Sequence, residues 1–365
     1  MSQPVAVYIH TPFCPSKCGY CDFNSYAMSG DIIERTVAAT VAEIEYGAHR
    51  RRPAKTIFVG GGTPTFLESG QLLRILDAVV GAHPPVDGCE ITSEANPGTV
   101  DSAKFKAMRR GGFNRVSLGG QSFDARDLIR LGRVHASSDI GIAVERAREA
   151  GFDNINVDLM FALPGQSFIA WEQNLAKAIA LGTEHLSLYC LTIEPNTAFY
   201  KQHLKGQLDL PDDGAQALMY DRAVERASAA GLEQYEISNF AKPGRECRHN
   251  LCYWRNEEYI AYGPGAVERV GDVRWTHLKH PELYCQAVEA GRNLACEMET
   301  ITAATGEDER IMLGLRLNEG LAIGEINTAA VENLQNKDWI ALTGNRLRLT
   351  PSGKHYCNEV IVALM

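Results

Sequence analysis

The sequence lacks a long apolar run: no segment approaches the roughly eighteen consecutive apolar residues that a membrane-spanning helix needs. Its first residues also lack the basic and apolar regions of a secretory signal peptide, so we expect a cytoplasmic protein without a membrane span. Positive charge is scarce as well, with 36 Lys and Arg against 45 Asp and Glu and a formal net charge of -9. This balance argues against a nucleic-acid-binding protein, because such proteins neutralise phosphates with basic patches.

Low-complexity segments and internal repeats are missing too. An apolar fraction of 45% and a charged fraction of 22% are those of a globular protein, which excludes a disordered or fibrous chain. Single hydrophobic cores stop growing at about 250–300 residues, so 365 residues predict one large domain with a smaller one, or two domains.

Short β-branched runs alternate with longer helical patterns in the first half of the chain. The predicted strands are Val5–Ile9, Thr56–Val59, Glu90–Ser93, Arg115–Leu118, Ile155–Leu159 and His185–Tyr189, and the predicted helices lie near 29–50, 69–81, 101–110, 139–150 and 168–181. This alternation indicates a parallel sheet with helical crossovers. We therefore predict an α/β fold, a partial (β/α)6 barrel similar to a TIM barrel, with its functional residues at the carboxyl ends of the strands.

The pattern changes after the sixth strand. A helix is predicted near 213–231, and residues 232–305 read as a linking region. Residues 306–365 predict a smaller α+β, winged-helix-like module with helices at Glu307–Leu317 and Ala329–Asn336, a hairpin of Trp339–Leu342 and Asn345–Pro351, and a last helix. The predicted boundaries are thus 1–231, 232–305 and 306–365.

Three of the ten cysteines lie close together directly after the first strand. A reducing compartment makes a disulfide scaffold improbable. A zinc site usually adds a second pair of ligands some 12–20 residues on, and none follows Cys21; a redox dithiol leaves the third cysteine unexplained. Cys14, Cys18 and Cys21 suit three corners of a [4Fe-4S] cluster, whose fourth iron stays free. The scattered cysteines Cys89, Cys190, Cys285, Cys296 and Cys357 read as structural.

The segment Tyr8–Cys21, Tyr-Ile-His-Thr-Pro-Phe-Cys-Pro-Ser-Lys-Cys-Gly-Tyr-Cys, resembles the signature of the radical S-adenosylmethionine (SAM) superfamily. It has the form found in oxygen-independent coproporphyrinogen dehydrogenases and their relatives. The resemblance extends over almost the whole chain. It implies a [4Fe-4S] cluster held by the three cysteines, with SAM bound to the open iron and cleaved to a 5'-deoxyadenosyl radical.

The resemblance also implies roles for residues on the other strands. Glycine in the Gly-Gly-Gly-Thr-Pro loop would let the backbone approach the methionine moiety of SAM. By position, the residues implied at a first SAM are Tyr8, Tyr20, Gly61, Gly62, Thr63 and Glu94. Those implied at a second SAM are Gln121, Arg133 and Asp158.

Two motifs resemble the heme-chaperone branch of this group. Phe23 stands where the dehydrogenases have a fourth cysteine, and His249–Trp254 reads His-Asn-Leu-Cys-Tyr-Trp. The resemblance implies that His249 binds heme, since imidazole is a common axial iron ligand. We therefore expect a chaperone that binds heme and delivers it to acceptor hemoproteins. The alternative is a radical SAM enzyme acting on a porphyrin, either an oxygen-independent coproporphyrinogen III dehydrogenase or a methyltransferase of the same group.

Several alternatives stay open for the second motif. His249 also reads as a hydrogen-bonding core residue, Cys247 is a second candidate heme ligand, and Cys247, His249 and Cys252 could form a metal clip that lacks a fourth ligand. Relatives carry histidine where this chain has Val267, which puts any role of that histidine in doubt. A homodimer and peripheral association with a membrane also stay open.

Overall fold

The computed structural model describes residues 3–47, 51–324 and 328–365. Its central feature is a run of six parallel strands in sequential order. They are β1 (Val5–Thr11), β2 (Ala54–Gly61), β3 (Pro85–Ala95), β4 (Arg115–Gln121), β5 (Ile155–Phe161) and β6 (His185–Cys190). The predicted α/β fold with a partial (β/α)6 barrel is confirmed. Each strand is longer than predicted, because the hydrogen-bonded ladder continues beyond the apolar runs, through glycines and polar residues at β2 and β4.

Helices connect these strands and cover the outside of the barrel. They are α1 (Asp31–Tyr46), α2 (Ser69–Ala82), α3 (Ser102–Gly111), α4 (Ala125–Leu131), α5 (Ser137–Glu149) and α6 (Phe168–Ala180), followed by α7 (Ala198–His203) and α8 (Asp213–Ala229). The short helices α4 and α7 were not predicted from the sequence. The first predicted helix reaches residues 48–50, which lie outside the described residues, as do Met1 and Ser2 at the start.

Side chains alternate between the two faces of each strand, as the pleat requires. On β4, Val116 and Leu118 belong to the main hydrophobic core between sheet and helices. Arg115, Ser117 and Gly119 on the same strand line a cavity inside the barrel. The interior of this barrel is therefore polar, whereas its outer face is apolar.

Residues 232–305, predicted as a linking region, add strands to both edges of this sheet. They form β7 (Glu233–Gln234), β8 (Asn239–Ala241), α9 (Arg248–Trp254), β9 (Tyr259–Tyr262), β10 (Val267–Val270), β11 (Val273–His277), α10 (Pro281–Glu289) and β12 (Ala295–Thr300). Strand β8 pairs with β6, and β9 pairs with β1. The resulting sheet has the order β12-β11-β10-β9-β1-β2-β3-β4-β5-β6-β8-β7. These added strands are short, which is why the sequence pattern missed them.

The C-terminal segment has its own hydrophobic core, which includes Ile311, Leu334, Leu347 and Val360. Its elements are α11 (Ala303–Gly314), β13 (Leu321–Ala322), α12 (Thr328–Asn336), β14 (Ile340–Thr343), β15 (Arg346–Leu349), α13 (Pro351–His355) and α14 (Cys357–Leu364), with strand order β13-β15-β14. Helices and hairpin follow the predicted order. Across the described parts of the chain, no helix is both long and apolar enough to cross a membrane.

Candidate functional site

A cavity of about 560 Å³ extends from the carboxyl ends of the six parallel strands into the barrel. Its volume lies in the usual range of ligand sites. Every site residue predicted from the sequence lines it. These residues are Tyr8, Cys14, Cys18, Tyr20, Cys21, Gly61, Gly62, Thr63, Glu94, Gln121, Arg133, Asp158 and His249. The structure thus brings together residues that are separated by up to 241 positions in the sequence.

The three neighbouring cysteines lie on the loop that follows β1, and their side chains are partly exposed in the cavity wall. Two polar groups point at their sulfur atoms. The Thr63 hydroxyl donates to Sγ of Cys14 at 3.5 Å, and Nη1 of Arg133 donates to Sγ of Cys18 at 3.7 Å. Burial raises the pKa of the Cys14 and Cys21 thiols. Donors of this kind stabilise negative charge on sulfur, as metal-bound thiolates require.

Contacts on both sides hold this loop in place. Nζ of Lys17 donates to the carbonyl oxygen of Phe23 at 2.6 Å and to the Ser25 hydroxyl at 2.9 Å. Gly19 N–H donates to the carbonyl oxygen of Leu131 at the end of α4. A Cβ on Gly19 would lie 2.8 Å from the Phe199 ring, so only glycine fits there. The loop conformation is therefore fixed by the protein itself.

The arrangement of the three thiols suits a cluster better than a single ion. Among the described residues, no group of three Cys, His, Asp or Glu side chains is placed to bind one metal ion. A single tetrahedral ion would need sulfur atoms about 4 Å apart, given metal–sulfur bonds of about 2.3 Å. In a cubic cluster each cysteine binds a different iron, so the sulfur atoms stand further apart. Three free thiols on one cavity wall fit the group that the sequence predicts.

Tyr8, on β1, is fixed beside the cavity by His10. Nε2 of His10 lies 2.8 Å from the carbonyl oxygen of Asn24, so this nitrogen carries the proton, since a carbonyl only accepts. Nδ1 of the neutral ring is then an acceptor, and the Tyr8 hydroxyl donates to it at 2.9 Å. Burial lowers the pKa of His10, which favours this neutral form. The Tyr8 oxygen keeps its lone pairs for a ligand.

Glycines of the loop after β2 are required by packing within the protein. A Cβ on Gly61 would lie 2.5 Å from the His10 ring, and one on Gly62 would lie 2.5 Å from the Phe13 carbonyl oxygen. Gly61 also has a φ of 108°, which side-chain-bearing residues rarely adopt. The close approach that requires glycine is thus to His10 and Phe13, and the expected approach to the methionine moiety of SAM stays a prediction.

Two half-buried carboxyl groups, Glu94 on β3 and Asp158 on β5, line the cavity. Gly61 N–H donates to Oε2 of Glu94 at 3.0 Å. Burial, together with the charge of Asp158, raises the pKa of Glu94 to about 8. Burial also raises the pKa of Asp158, although Asn156 donates to its Oδ1 at 2.7 Å. A ligand with positive charge or hydrogen-bond donors would stabilise both carboxylates.

Gln121, at the end of β4, and Arg133, just after α4, line the same cavity. Gln121 has a left-handed backbone with a φ of 64°, which is uncommon outside glycine. Nη2 of Arg133 donates to the Gly119 carbonyl oxygen at 2.6 Å. The Arg133 side chain is thus held between β4 and Cys18 of the cysteine loop.

Tyr20 lies inside the cysteine motif and packs against the Phe199 ring, with 6.4 Å between ring centroids. It borders a small apolar cluster that includes Leu131 and Leu163. Burial raises the pKa of its hydroxyl. The side chain joins the loop to the barrel wall, next to the place where the cluster is predicted.

His249, near the start of α9, is fully buried, and both of its ring nitrogens have partners. Nδ1 lies 2.8 Å from the Thr56 hydroxyl, and Nε2 lies 2.9 Å from the Tyr253 hydroxyl. The ring stacks on Phe58 with 5.1 Å between centroids. Burial, with the positive charges of Lys55 and Arg115, lowers the pKa of His249 to about 3. His249 therefore has the contacts expected of a hydrogen-bonding core residue, although it also lines the cavity. Its binding of heme stays a prediction.

The alternatives around His249 gain no support. Sγ of Cys247 faces Oε1 of Glu90 at 3.7 Å, and Sγ of Cys252 donates to the Arg248 carbonyl oxygen at 3.2 Å. Among the described residues, Cys247, Cys252 and His249 do not form a group placed to hold one metal ion. Val267 begins the outer strand β10, paired with Thr276.

Sequence reasoning missed much of the cavity wall. The polar residues Arg115, Ser117, Asn156, His185, Ser187 and Asn239 line its inner part, and Phe58 and Tyr253 flank His249. A signal was present for the strand residues. Asn156 and Asp158, like His185 and Ser187, are polar at every second position of strands that are otherwise apolar, so both must face the barrel interior.

The barrel, with three free thiols at the end of its first strand, defines the chain as a radical SAM protein. The family model of the radical SAM superfamily matches residues 8–178. Heme chaperone HemW from Bacillus subtilis (strain 168) is 37% identical, with 99% of each chain covered. Heme chaperone HemW from Escherichia coli (strain K12) is 41% identical over 78% of this chain and 76% of its own length. The chain belongs to the family of these HemW proteins.

Among solved structures, the chain resembles coproporphyrinogen III oxidase (HemN) from Escherichia coli. The TM-score is 0.85, with 99% of this chain and 89% of the other covered, at 20% sequence identity. This likeness supports the fold, including the strands of residues 232–305.

Proposed function

We propose that this protein is a heme chaperone of the radical SAM fold, which binds heme and passes it to acceptor hemoproteins. The observation that carries the proposal is the similarity over nearly the whole chain to proteins named heme chaperone HemW, 37% identical in one case. The proposal includes a cytoplasmic location. The homodimer and the peripheral membrane association stay predictions.

In this proposal Cys14, Cys18 and Cys21 hold a [4Fe-4S] cluster. The donors from Thr63 and Arg133 to two of the sulfur atoms support this assignment. When bound, the cluster supplies reductive chemistry on SAM. The chain's own residues would orient the ligands: the contacts of Lys17 and Gly19 hold the loop with the thiols, and the carboxyl groups of Glu94 and Asp158 would bind positive charge or hydrogen-bond donors.

The implied SAM residues divide the same cavity. Tyr8, Tyr20, Gly61, Gly62, Thr63 and Glu94 would surround a first SAM, and Gln121, Arg133 and Asp158 a second. All of them line the same cavity. Because these residues come from several strands and converge on one cavity, they support a single binding region. The binding of a second SAM stays a prediction.

For heme we propose His249 as the iron ligand. Its low pKa keeps the imidazole neutral at physiological pH, which is the form that binds iron. Nε2 would have to exchange its hydrogen bond with Tyr253 for the iron. The stacked Phe58 ring offers an apolar face beside it.

The second candidate is a radical SAM enzyme that acts on a porphyrin, either a coproporphyrinogen III dehydrogenase or a methyltransferase. The likeness to coproporphyrinogen III oxidase favours it, but at 20% identity that likeness extends to the fold alone. Phe23, where the dehydrogenases have a fourth cysteine, argues against it.

One experiment separates the two candidates. Anaerobically reconstituted protein is loaded with heme, mixed with an apo-hemoprotein, and followed by the Soret band of the acceptor, with free heme at equal concentration as the control. A chaperone transfers heme faster or more completely than the control. In parallel, the protein is incubated with reductant, SAM and coproporphyrinogen III; multiple turnovers to protoporphyrinogen would support the enzyme and overturn the ranking.

A further inference from the structure

Arg115, the first residue of β4, is an unpaired cation inside the barrel. The residue is 2% exposed and lines the inner part of the cavity. Its Nε atom is buried without a hydrogen-bond partner, and no ion pair joins the guanidinium to any carboxylate in the described ranges. A guanidinium always carries its charge, and burying a charge is costly unless it is paired. The guanidinium therefore has no direct carboxylate contact among the described residues.

The acidic groups nearby are already occupied. Glu90 accepts hydrogen bonds from the backbone N–H groups of Arg248 and His249 and from the thiol of Cys247. Asp158 accepts from Asn156 and Ser117. Both carboxylates bind other donors, and they stabilise the charge of Arg115 at a distance, without a hydrogen bond to its guanidinium.

A second unpartnered donor lies next to Arg115. Thr92 on β3 is its register partner, is fully buried, and has a hydroxyl without a hydrogen-bond partner. A planar guanidinium beside a hydroxyl matches the two oxygens of a carboxylate. Two independent unsatisfied groups at one place thus indicate the same class of ligand.

Two strands of the sheet near Arg115 carry aromatic side chains at the same level. Tyr8, Phe58, Thr92 and Arg115 form one row across β1 to β4, and His249 stacks on Phe58. Strands β2 and β4 are two spacings apart, about 10 Å. A flat apolar surface at one side and a cation about 10 Å away suit a flat aromatic molecule that carries a carboxylate at its rim.

We propose that Arg115 forms a carboxylate-binding subsite at the inner end of the cavity, beside the buried Thr92 hydroxyl, and that this subsite takes a propionate of heme. The assignment of heme rests on the proposed function. The carboxylate chemistry itself rests on the two unpartnered donors, so a small carboxylic acid is the other source that the test has to separate.

The test compares heme with heme dimethyl ester, whose propionates carry no charge, by Soret titration of the reconstituted wild-type protein. We expect the ester to bind about 10- to 100-fold more weakly, the range for a charged hydrogen-bonded pair. Arg115→Gln should weaken the binding of heme by the same factor and leave the affinity for the ester unchanged. Thr92→Val should weaken the binding of heme a few-fold. The control variant Arg126→Gln, at an exposed arginine on α4, should leave the affinities for heme and for the ester unchanged.

The outcomes are distinguishable. Wild-type protein that binds no heme overturns the proposed function and the heme assignment together. Equal binding of heme and ester, with Arg115→Gln as tight as wild type, overturns the subsite alone and leaves water as its occupant. A third outcome is that heme and ester bind equally, while millimolar propionate raises the melting temperature of wild type but not of Arg115→Gln. In that case the subsite binds a small carboxylic acid, and the heme assignment is wrong. If Arg115→Gln fails to fold, the ester comparison on wild type decides.

Discussion

Nε2 of His249 lies 2.9 Å from the hydroxyl oxygen of Tyr253, one turn further along α9. Tyr253→Phe removes this partner and leaves the imidazole in place. If His249 binds the heme iron, we expect Tyr253→Phe to increase heme affinity several-fold, because no hydrogen bond then has to be exchanged, and His249→Ala to reduce it by at least tenfold. Soret titration measures both. Equal affinities in wild type and both variants would remove His249 from the heme site.

The cluster assignment predicts a selective loss of iron. Cys18→Ala should abolish the broad visible absorbance of anaerobically reconstituted protein, because one of only three protein ligands is removed. Cys296→Ala, at an exposed cysteine on β12, is the matched control and should retain full absorbance. Iron and sulfide content checks both variants, and an undiminished cluster in Cys18→Ala would contradict the assignment.

Packing around the cysteine loop predicts that Gly61→Ala is destabilising by at least about 2 kcal/mol, since the new Cβ meets the His10 ring at 2.5 Å and the backbone is left-handed. Gly81→Ala, inside α2 with nothing within 4 Å of the added Cβ, should instead stabilise by about 0.5–1 kcal/mol. Urea unfolding of both variants measures the difference. Similar free energies for the two would show that the loop adapts to the clash.

Glu94 is predicted to bind SAM, and its carboxylate lowers the free energy of unfolding at neutral pH. Its folded pKa of about 8 lies above the ordinary value of 4.5, so stability is lost as the pH rises from about 4.5 towards 8. Because Glu94 is partly exposed to the cavity, we expect Glu94→Gln to raise the free energy of unfolding by only about 1–2 kcal/mol near pH 7.5, and by almost nothing near pH 4.5. Urea unfolding at the two pH values measures this gain.

The same variant should bind SAM at least tenfold more weakly, because a carboxylate contact is lost. Isothermal calorimetry on reconstituted protein measures it. A variant that is less stable than wild type at both pH values would contradict the stability part of the prediction, and unchanged affinity would remove Glu94 from the SAM site.

Acid should destabilise the fold through His249. Its folded pKa of about 3 lies below the ordinary 6.5, so its contribution is present above pH 6.5 and is lost as the pH falls towards 3. Between about pH 6.5 and 5, the free energy of unfolding of wild type should therefore fall faster than that of His249→Gln, by up to about 1.4 kcal/mol per pH unit. Urea titrations at several pH values test this, and parallel curves for the two proteins would contradict it.

The sequence was sufficient for the six parallel strands and their order, because strands buried on both faces carry strong β-branched runs. It also indicated the cavity residues that follow strands, such as Cys14 and Glu94, since glycines and polar groups collect at the carboxyl ends. The strands of 232–305 were not predictable, because two- to six-residue strands at the sheet edges have no periodic signal. Their place follows from pairing with β1 and β6.

Within the site, the resemblance located the cysteines but could not show what surrounds His249. The ring of His249 lies between the hydroxyl groups of Thr56, 193 positions earlier in the sequence, and Tyr253, one helical turn later. Arg115 escaped notice because a basic residue at the start of a strand usually reads as exposed. Its burial depends on the segment around Cys247 and His249, which lines the same inner cavity.

The polar lining of the barrel has a consequence for the lifetime of the protein. Ordinary barrels fill this space with layers of apolar side chains, whereas here Arg115, Asn156 and Asp158 occupy it. Ligands that bind only the folded chain raise its free energy of unfolding in proportion to the logarithm of their concentration. The protein without its ligands is therefore less stable than the protein with ligands bound. Because cellular proteases act on transiently unfolded chains, we expect them to degrade the ligand-free protein first.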